Sequence, residues 1–145
     1  MSTYLLETTT CSHLMRENLI VKERLDKLTT LDAYFTIPIV QGEILYGIEL
    51  LEIGRRQRYL SQRANSLFEG IECNPLPKET GIYYAQLRRQ AEQQGTRLHD
   101  NDLWIAAAAL AFDTILVTSD RDFYRVQGLL GLQLENWLIA ENASE

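Results

Sequence analysis

Apolar positions in this chain follow two rhythms that take turns along its length: short dense runs, and longer stretches with apolar residues three or four apart. Thr3-Tyr-Leu-Leu is a β-rich run that stops at Glu7, and Thr8, Thr9 and Thr10 follow with hydroxyls suited to a turn and a helix cap. Residues 11–18 and 21–28 read as two short helices, the second carrying Val21, Leu25 and Leu28 on one stripe with charges opposite. Residues 34–40, aromatic and β-branched, predict a second strand in which Pro38 marks a missing ladder donor. Residues 43–53 have the helical period, with Glu43 in the first turn and Ile44, Leu45, Tyr46, Ile48 and Leu51 as apolar surface.

The alternation continues. Residues 55–68 predict a helix paired with the one before it as an arm. A weak strand at 71–76 ends at the prolines, and Pro77 opens a helix that runs to a stop at Gly95, with Tyr83, Leu87 and Ala91 along one face. Residues 101–112 give the strongest helix, capped by Asp100 or Asn101, and its four consecutive alanines from Ala106 to Ala109 allow close packing on a sheet. Residues 114–118 form a continuous apolar run of the buried parallel kind, and 132–137 alternate as a last strand. Strands taking turns with helices predict a three-layer α/β/α sandwich with a mostly parallel sheet, and with no linker or repeat the chain reads as a single domain over residues 1–145.

That frame gives meaning to the acids. Glu7, Glu43, Asp100 with Asp102, and Asp120 with Asp122 each stand beside an apolar run, where an open parallel sheet gathers ligands outside the carboxyl ends of its strands. Taken singly each has an ordinary explanation, as a solvated acid near a helix start, a helix cap, or a turn residue. Together they would repel unless a cation compensates them, and all-oxygen ligation selects Mg²⁺, or Mn²⁺, over softer metals. Such a centre suits in-line phosphodiester chemistry, with Thr9, Thr118 and Ser119 near enough in sequence to orient the carboxylates.

Composition narrows the choice. A net charge of −6 argues against a broad basic surface for nucleic acid, yet much of the excess acid lies in the proposed cluster, where divalent ions would cancel it. All but three of the 14 cations are arginine, which suits bidentate contact with phosphate or with an acidic partner. The arginine-bearing helix at 55–68 is a candidate surface for RNA or a partner helix, or simply a solvated face. The aromatic residues Tyr46, Tyr59, Phe68 and Tyr83 read as core rather than as a ligand box. Cys11 and Cys73 lack zinc spacing and read as buried or semi-buried thiols of a reducing compartment, and His13 and His99 belong to no zinc motif. Phosphate loops of the GxxxxGK[ST] and GxGxxG types are missing from the sequence. No apolar run reaches the roughly 20 residues of a membrane span, so a soluble, cytoplasmic protein is expected.

Four blocks carry a resemblance: Tyr4-Leu-Leu-Glu-Thr-Thr-Thr-Cys-Ser-His-Leu, Val40-Gln-Gly-Glu-Ile-Leu-Tyr-Gly, Asp100-Asn-Asp-Leu-Trp-Ile-Ala-Ala and Leu116-Val-Thr-Ser-Asp-Arg-Asp-Phe. In this order and spacing the chain resembles the PIN-domain nucleases, and among them the VapC-type toxins of toxin-antitoxin pairs. The resemblance implies a Mg²⁺-dependent endoribonuclease that cuts single-stranded RNA, forms a homodimer and is silenced by a VapB-like antitoxin. It also implies that Glu7, Glu43, Asp102 and Asp120 are the catalytic and metal-binding acids, with Asp122 assisting as a ligand and Asp100 accessory. The first block departs from the family's usual Asp-Thr-Asn, Glu7 lengthening the acid by one methylene and Thr9 replacing an amide by a hydroxyl. From arm length alone, Glu7→Asp is expected to raise cleavage, and a PIN domain that binds a partner or RNA without cutting is the alternative reading.

Overall fold

The structure, a computed structural model, describes residues 1–139. Its sheet has four parallel strands in the order β2-β1-β3-β4, with β1 at Thr3–Leu6, β2 at Ala33–Phe35, β3 at Ile115–Val117 and β4 at Leu134–Glu135. Leu5 pairs with Phe35 on one side and Leu116 on the other, and all three are buried. Such double-sided burial is why the central strands β1 and β3 are dense apolar runs. Helices flank the sheet in the α/β/α arrangement. The single domain predicted over 1–145 runs past the described residues at 140–145.

Several boundaries differ from the periodic reading for identifiable reasons. Helix α1, Thr8–Met15, begins earlier than expected because Glu7 itself is the cap, its carboxylate accepting from the Thr9 N–H, so the threonines lie inside the first turn. Helix α2 spans Leu19–Asp26 and is capped by Asn18. The second strand stops at Phe35, and Pro38 is not a gap in a ladder but the first residue of α3, Pro38–Glu49, where proline's missing donor has no partner to lose. That moves Glu43 from the first turn to the second. Helix α4, Arg55–Gly70, packs on α3 and α1, as an arm would.

The weak strand at 71–76 reduces to one bridge between Thr36 and Cys73, and Cys73 is exposed rather than buried. Helix α5, Thr80–Gln93, is followed by Gly95 at φ 79°, the left-handed stop that glycine permits. Helix α6 spans Asp100–Phe112 and buries Ile105 and Ala106 to Ala109. Neither Asp100 nor Asn101 caps it; His99 does, its Nδ1 accepting from the Asn101 N–H at 3.2 Å. A single turn, α7, at Arg121–Tyr124 follows β3. The final alternating run pairs only at Leu134–Glu135, because the chain turns at Asn136 and Trp137 is drawn into the core edge-on to Tyr4, centroids 5.4 Å apart.

Candidate metal centre

The sheet order makes one crevice unavoidable. The chain leaves β1 toward β2 on one side and later returns to β3 on the other, so the connections part between β1 and β3, where open α/β sheets bind ligands. The register brings Leu6 beside Val117, which sets Glu7 next to Thr118 at the strand ends, the Glu7 N–H donating to the Val117 carbonyl at 3.0 Å. Asp120 follows β3 and caps α7. Asp102 enters from the first turn of α6, and Glu43 from α3.

Carboxylate oxygens of Asp102, Asp120 and Asp122 lie within 4.8 Å of one another. Asp102 is pushed up from an ordinary 3.8 to about 6, first by burial and then by the charges of Asp120, Glu43 and Glu7. Those causes place Asp102, Asp120, Glu43 and Glu7 in one electrostatic neighbourhood. Every donor in the trio is a carboxylate oxygen, the set a hard divalent cation takes, and the raised Asp102 marks negative charge that the protein leaves uncompensated. The residues therefore fit such an ion.

Glu7 sits in a more elaborate seat. Its Oε1 accepts three hydrogen bonds, from the Thr9 N–H at 2.9 Å, the Thr9 hydroxyl at 2.6 Å and the Thr118 hydroxyl at 2.7 Å. Each hydroxyl also accepts a backbone N–H from the turn after β3, Ser119 to Thr9 at 2.9 Å and Asp120 to Thr118 at 3.0 Å. An N–H can only donate, so each hydroxyl is free to give its own proton to Glu7. Burial pushes the Glu7 pKa up while these donors pull it down. All three bonds fall on one oxygen, and the charge of Asp120 adds to the upward push on Glu7.

Glu43 has a simpler support: the Thr8 hydroxyl donates to its Oε1 at 2.7 Å. From the sequence Thr8 suits a turn and a helix cap, and nothing there points to Glu43, 35 residues away. Thr8 is only partly buried, so Thr8→Val should leave the melting temperature near that of the parent and lower cleavage roughly ten-fold by letting Glu43 wander, as loss of an orienting partner commonly does. Steady-state rates and thermal melts check both halves.

The remaining predicted residues divide. Thr9, Thr118 and Ser119 stand at the centre; the Ser119 hydroxyl also lies 3.4 Å from His13 Nε2. Asp100 does not join them, its Oδ1 accepting from the Tyr84 hydroxyl at 3.0 Å and lying 3.5 Å from Arg88, both on α5. Tyr46 and Tyr59, read as core from the sequence, are 65% and 52% exposed. Arg63, counted with the partner surface, ties α4 to the end of α1 through the Met15 carbonyl at 2.9 Å and Glu17 at 3.2 Å.

Comparison with known proteins fixes the family. The PIN domain model matches residues 4–129. The chain belongs to the PIN domain family. It is 26% identical over 136 residues to Ribonuclease VapC2 of Rickettsia felis, covering 92% of this chain and 97% of that protein. Ribonuclease VapC1 of Haemophilus influenzae strain R2866 is 26% identical over 140 residues, with the same coverage. Among solved structures, VapBC2 of Rickettsia felis bound to a DNA fragment from its promoter superposes with a TM-score of 0.81 at 26% identity, covering 93% of this chain and 98% of that one. PIN-domain ribonucleases as a family depend on divalent metal ions.

In this PIN domain the departure at the first block has a structural counterpart. The longer glutamate reaches the Thr118 hydroxyl across the crevice, and Thr9 supplies a hydroxyl that both holds Glu7 and accepts from Ser119. Glu7→Asp is therefore expected to lower cleavage roughly ten-fold, against the arm-length expectation. An aspartate can keep the cap bond from the Thr9 N–H but retracts from Thr118, and displacements near 1 Å are costly to reacting groups. Metal-dependent rates of the two proteins on one RNA decide the sign.

Proposed function

We propose that this PIN domain is the ribonuclease toxin of a VapBC-like toxin-antitoxin pair, a Mg²⁺- or Mn²⁺-dependent endoribonuclease cutting single-stranded RNA in the cytoplasm. The observation that carries the reading is the convergence of Glu7, Glu43 and Asp102 with Asp120 and Asp122 at the switch point of the sheet. Glu7, Glu43, Asp102 and Asp120 are the catalytic acids, and these with Asp122 would hold the metal. When bound, a divalent ion supplies the positive field that draws in a phosphodiester and stabilises charge developing on it. The protein's own part is to hold the carboxylates still: Thr9 and Thr118 fix Glu7, Thr8 fixes Glu43, and Asp102 and Asp120 are anchored at helix starts.

The whole chain, 1–145, is read as one such domain acting as a homodimer, and its silencing partner as a VapB-like antitoxin. A groove of about 230 Å³ between α1, α3 and α4 suits the antitoxin. It runs from Glu43 past Ile44, Ile48 and Leu60 to Arg16 and Arg56, an apolar floor with a charged margin that fits an amphipathic segment. The binding-only alternative is not favoured, because Glu7 and Thr9, the two residues that depart from the family, hold one another by hydrogen bonds. Among the described residues no helix is long and apolar enough to cross a membrane.

The test is cleavage of a panel of single-stranded RNAs by the purified protein with Mg²⁺ or Mn²⁺. Cuts that need the metal, vanish with chelator and are suppressed by the cognate antitoxin are expected. Cleavage that persists in chelator would overturn the metal mechanism, and binding without cleavage under either metal would replace the enzyme by the binding module.

A further inference from the structure

Glu43 borders a second depression, a cleft of about 500 Å³ lined by Ile39, Gly42, Glu43 and Tyr46 from α3 and by His99 and Asn101 at the start of α6. The four α3 positions are spaced i, i+3, i+4 and i+7, a single stripe of the helix. The two residues from α6 flank the helix start that delivers Asp102 to the acids.

The composition of this wall is specific. Tyr46 is 65% exposed, a flat ring that packing does not require. His99 accepts at Nδ1 from the Asn101 N–H, so the neutral ring carries its proton on Nε2, away from the cap. Asn101 adds an amide that can both donate and accept. Gly42 is a helix-weakening residue in the middle of α3, yet a Cβ placed there meets no atom within 4 Å. Neither a left-handed backbone nor a close neighbour requires glycine there, and since Gly42 lines the cleft, a side chain at this position would project into its open space.

Resting on the ribonuclease reading above, we propose that this cleft receives an unpaired nucleobase next to the scissile phosphate. Tyr46 stacks on the base, and His99 Nε2–H and Asn101 contact its edge. Sharing Glu43 with the acid cluster puts the cleft beside the phosphate site. A neutral, flat, edge-polar group also matches a wall of one aromatic ring, one aliphatic side chain and two hydrogen-bonding side chains. Unpaired bases in RNA are commonly held in this way, by stacking plus edge contacts.

The experiment compares short single-stranded RNAs that are intact or abasic at each position flanking the cut, by kcat/KM on the parent and by affinity on Asp102→Asn. One flanking position is expected at which losing the base lowers both measures roughly ten-fold, the scale of one base-aromatic stack. Tyr46→Ala should lose a similar factor on intact RNA and become indifferent to the abasic site, while Tyr46→Phe keeps both. Gly42→Ala should melt higher than the parent yet cut more slowly, which separates the cleft from the fold.

Equal cleavage by Tyr46→Ala and the parent, or equal affinity for intact and abasic RNA at every position, overturns the proposal. So does a Tyr46→Ala protein that cuts normally but loses self-association or antitoxin binding, since the cleft would then face protein. A parent that cuts no RNA refutes the ribonuclease reading instead, and the affinity comparison still decides whether the cleft takes a base.

Discussion

Asp102→Asn is expected to lower RNA cleavage roughly 10³-fold while raising the melting temperature of the metal-free protein. The two effects share a cause. Burial and the charges of Asp120, Glu43 and Glu7 push Asp102 up to about 6, so the folded state holds this proton more tightly than the unfolded chain, where the pKa is near 3.8. For an acid shifted upward, stability falls as pH rises from about 4 through about 6, and above that range the ionised carboxylate is a standing penalty on the metal-free fold. Asparagine keeps the shape and removes the charge, so the variant should melt higher at pH 7, and the gap should close toward pH 4. Saturating divalent metal should reverse the order, because the parent binds it better and binding to the folded state alone stabilises it. Thermal melts at pH 4 and 7, with and without metal, beside cleavage rates, check the account. An asparagine variant that cuts like the parent, or melts identically at pH 7, would sink it.

The same repulsion explains how much of the site was legible in the sequence. Acids at the ends of apolar runs stand out because burial and charge conflict there, and the parallel strands bring Glu7 and Asp120 together whatever the exact boundaries. By local pattern Asp102 and Asp100 are equivalent, two acids flanking Asn101 at a helix start, and only the family resemblance ranks Asp102 above Asp100. The rotation of α6 is the physical reason, turning Asp102 to the cluster and Asp100 toward Tyr84 and Arg88. Periodicity cannot supply that rotation for a helix whose alanines are buried on several sides. The supporting hydroxyls were half visible: Thr9, Thr118 and Ser119 by adjacency, Thr8 not, since its partner Glu43 is 35 residues away.

The fold was legible in its alternation and less so at its edges. The start of α1 moved because Glu7 does the capping, and the start of α3 moved because Pro38 opens that helix. Glu7 and His99 cap α1 and α6 although neither is a favoured capping type, because each has a position dictated by the site or by its neighbours. Pro38 carried a real signal that was assigned to the wrong element, since a proline lacks a donor both in a strand and at a helix start. Tyr46 and Tyr59 were misplaced for a related reason. Aromatic residues at helical spacing fit a core, and only the direction of the neighbouring elements shows these two facing outward.

Thr118→Val is expected to destabilise the fold by about 2 kcal/mol and to cut metal-dependent activity by roughly 10- to 100-fold. Thr118 is fully buried, and its hydroxyl is the joint between the two halves of the centre, accepting from the Asp120 N–H at 3.0 Å and donating to Glu7 Oε1 at 2.7 Å. Valine fills the same space, so packing is conserved and what is lost is polar. The Asp120 N–H loses its acceptor at a site water reaches poorly, which accounts for most of the stability cost. Glu7 keeps its two bonds from Thr9, but losing a donor to the ionised form raises its pKa further, so the activity deficit should widen as pH falls. Thr118→Ser supplies the control, restoring the hydroxyl without the methyl: it should recover most of the activity and narrow the deficit at low pH. A valine variant with the parent's pH profile would mean that Thr118 serves packing alone. A serine variant no better than valine would mean that the methyl, not the hydroxyl, holds the joint.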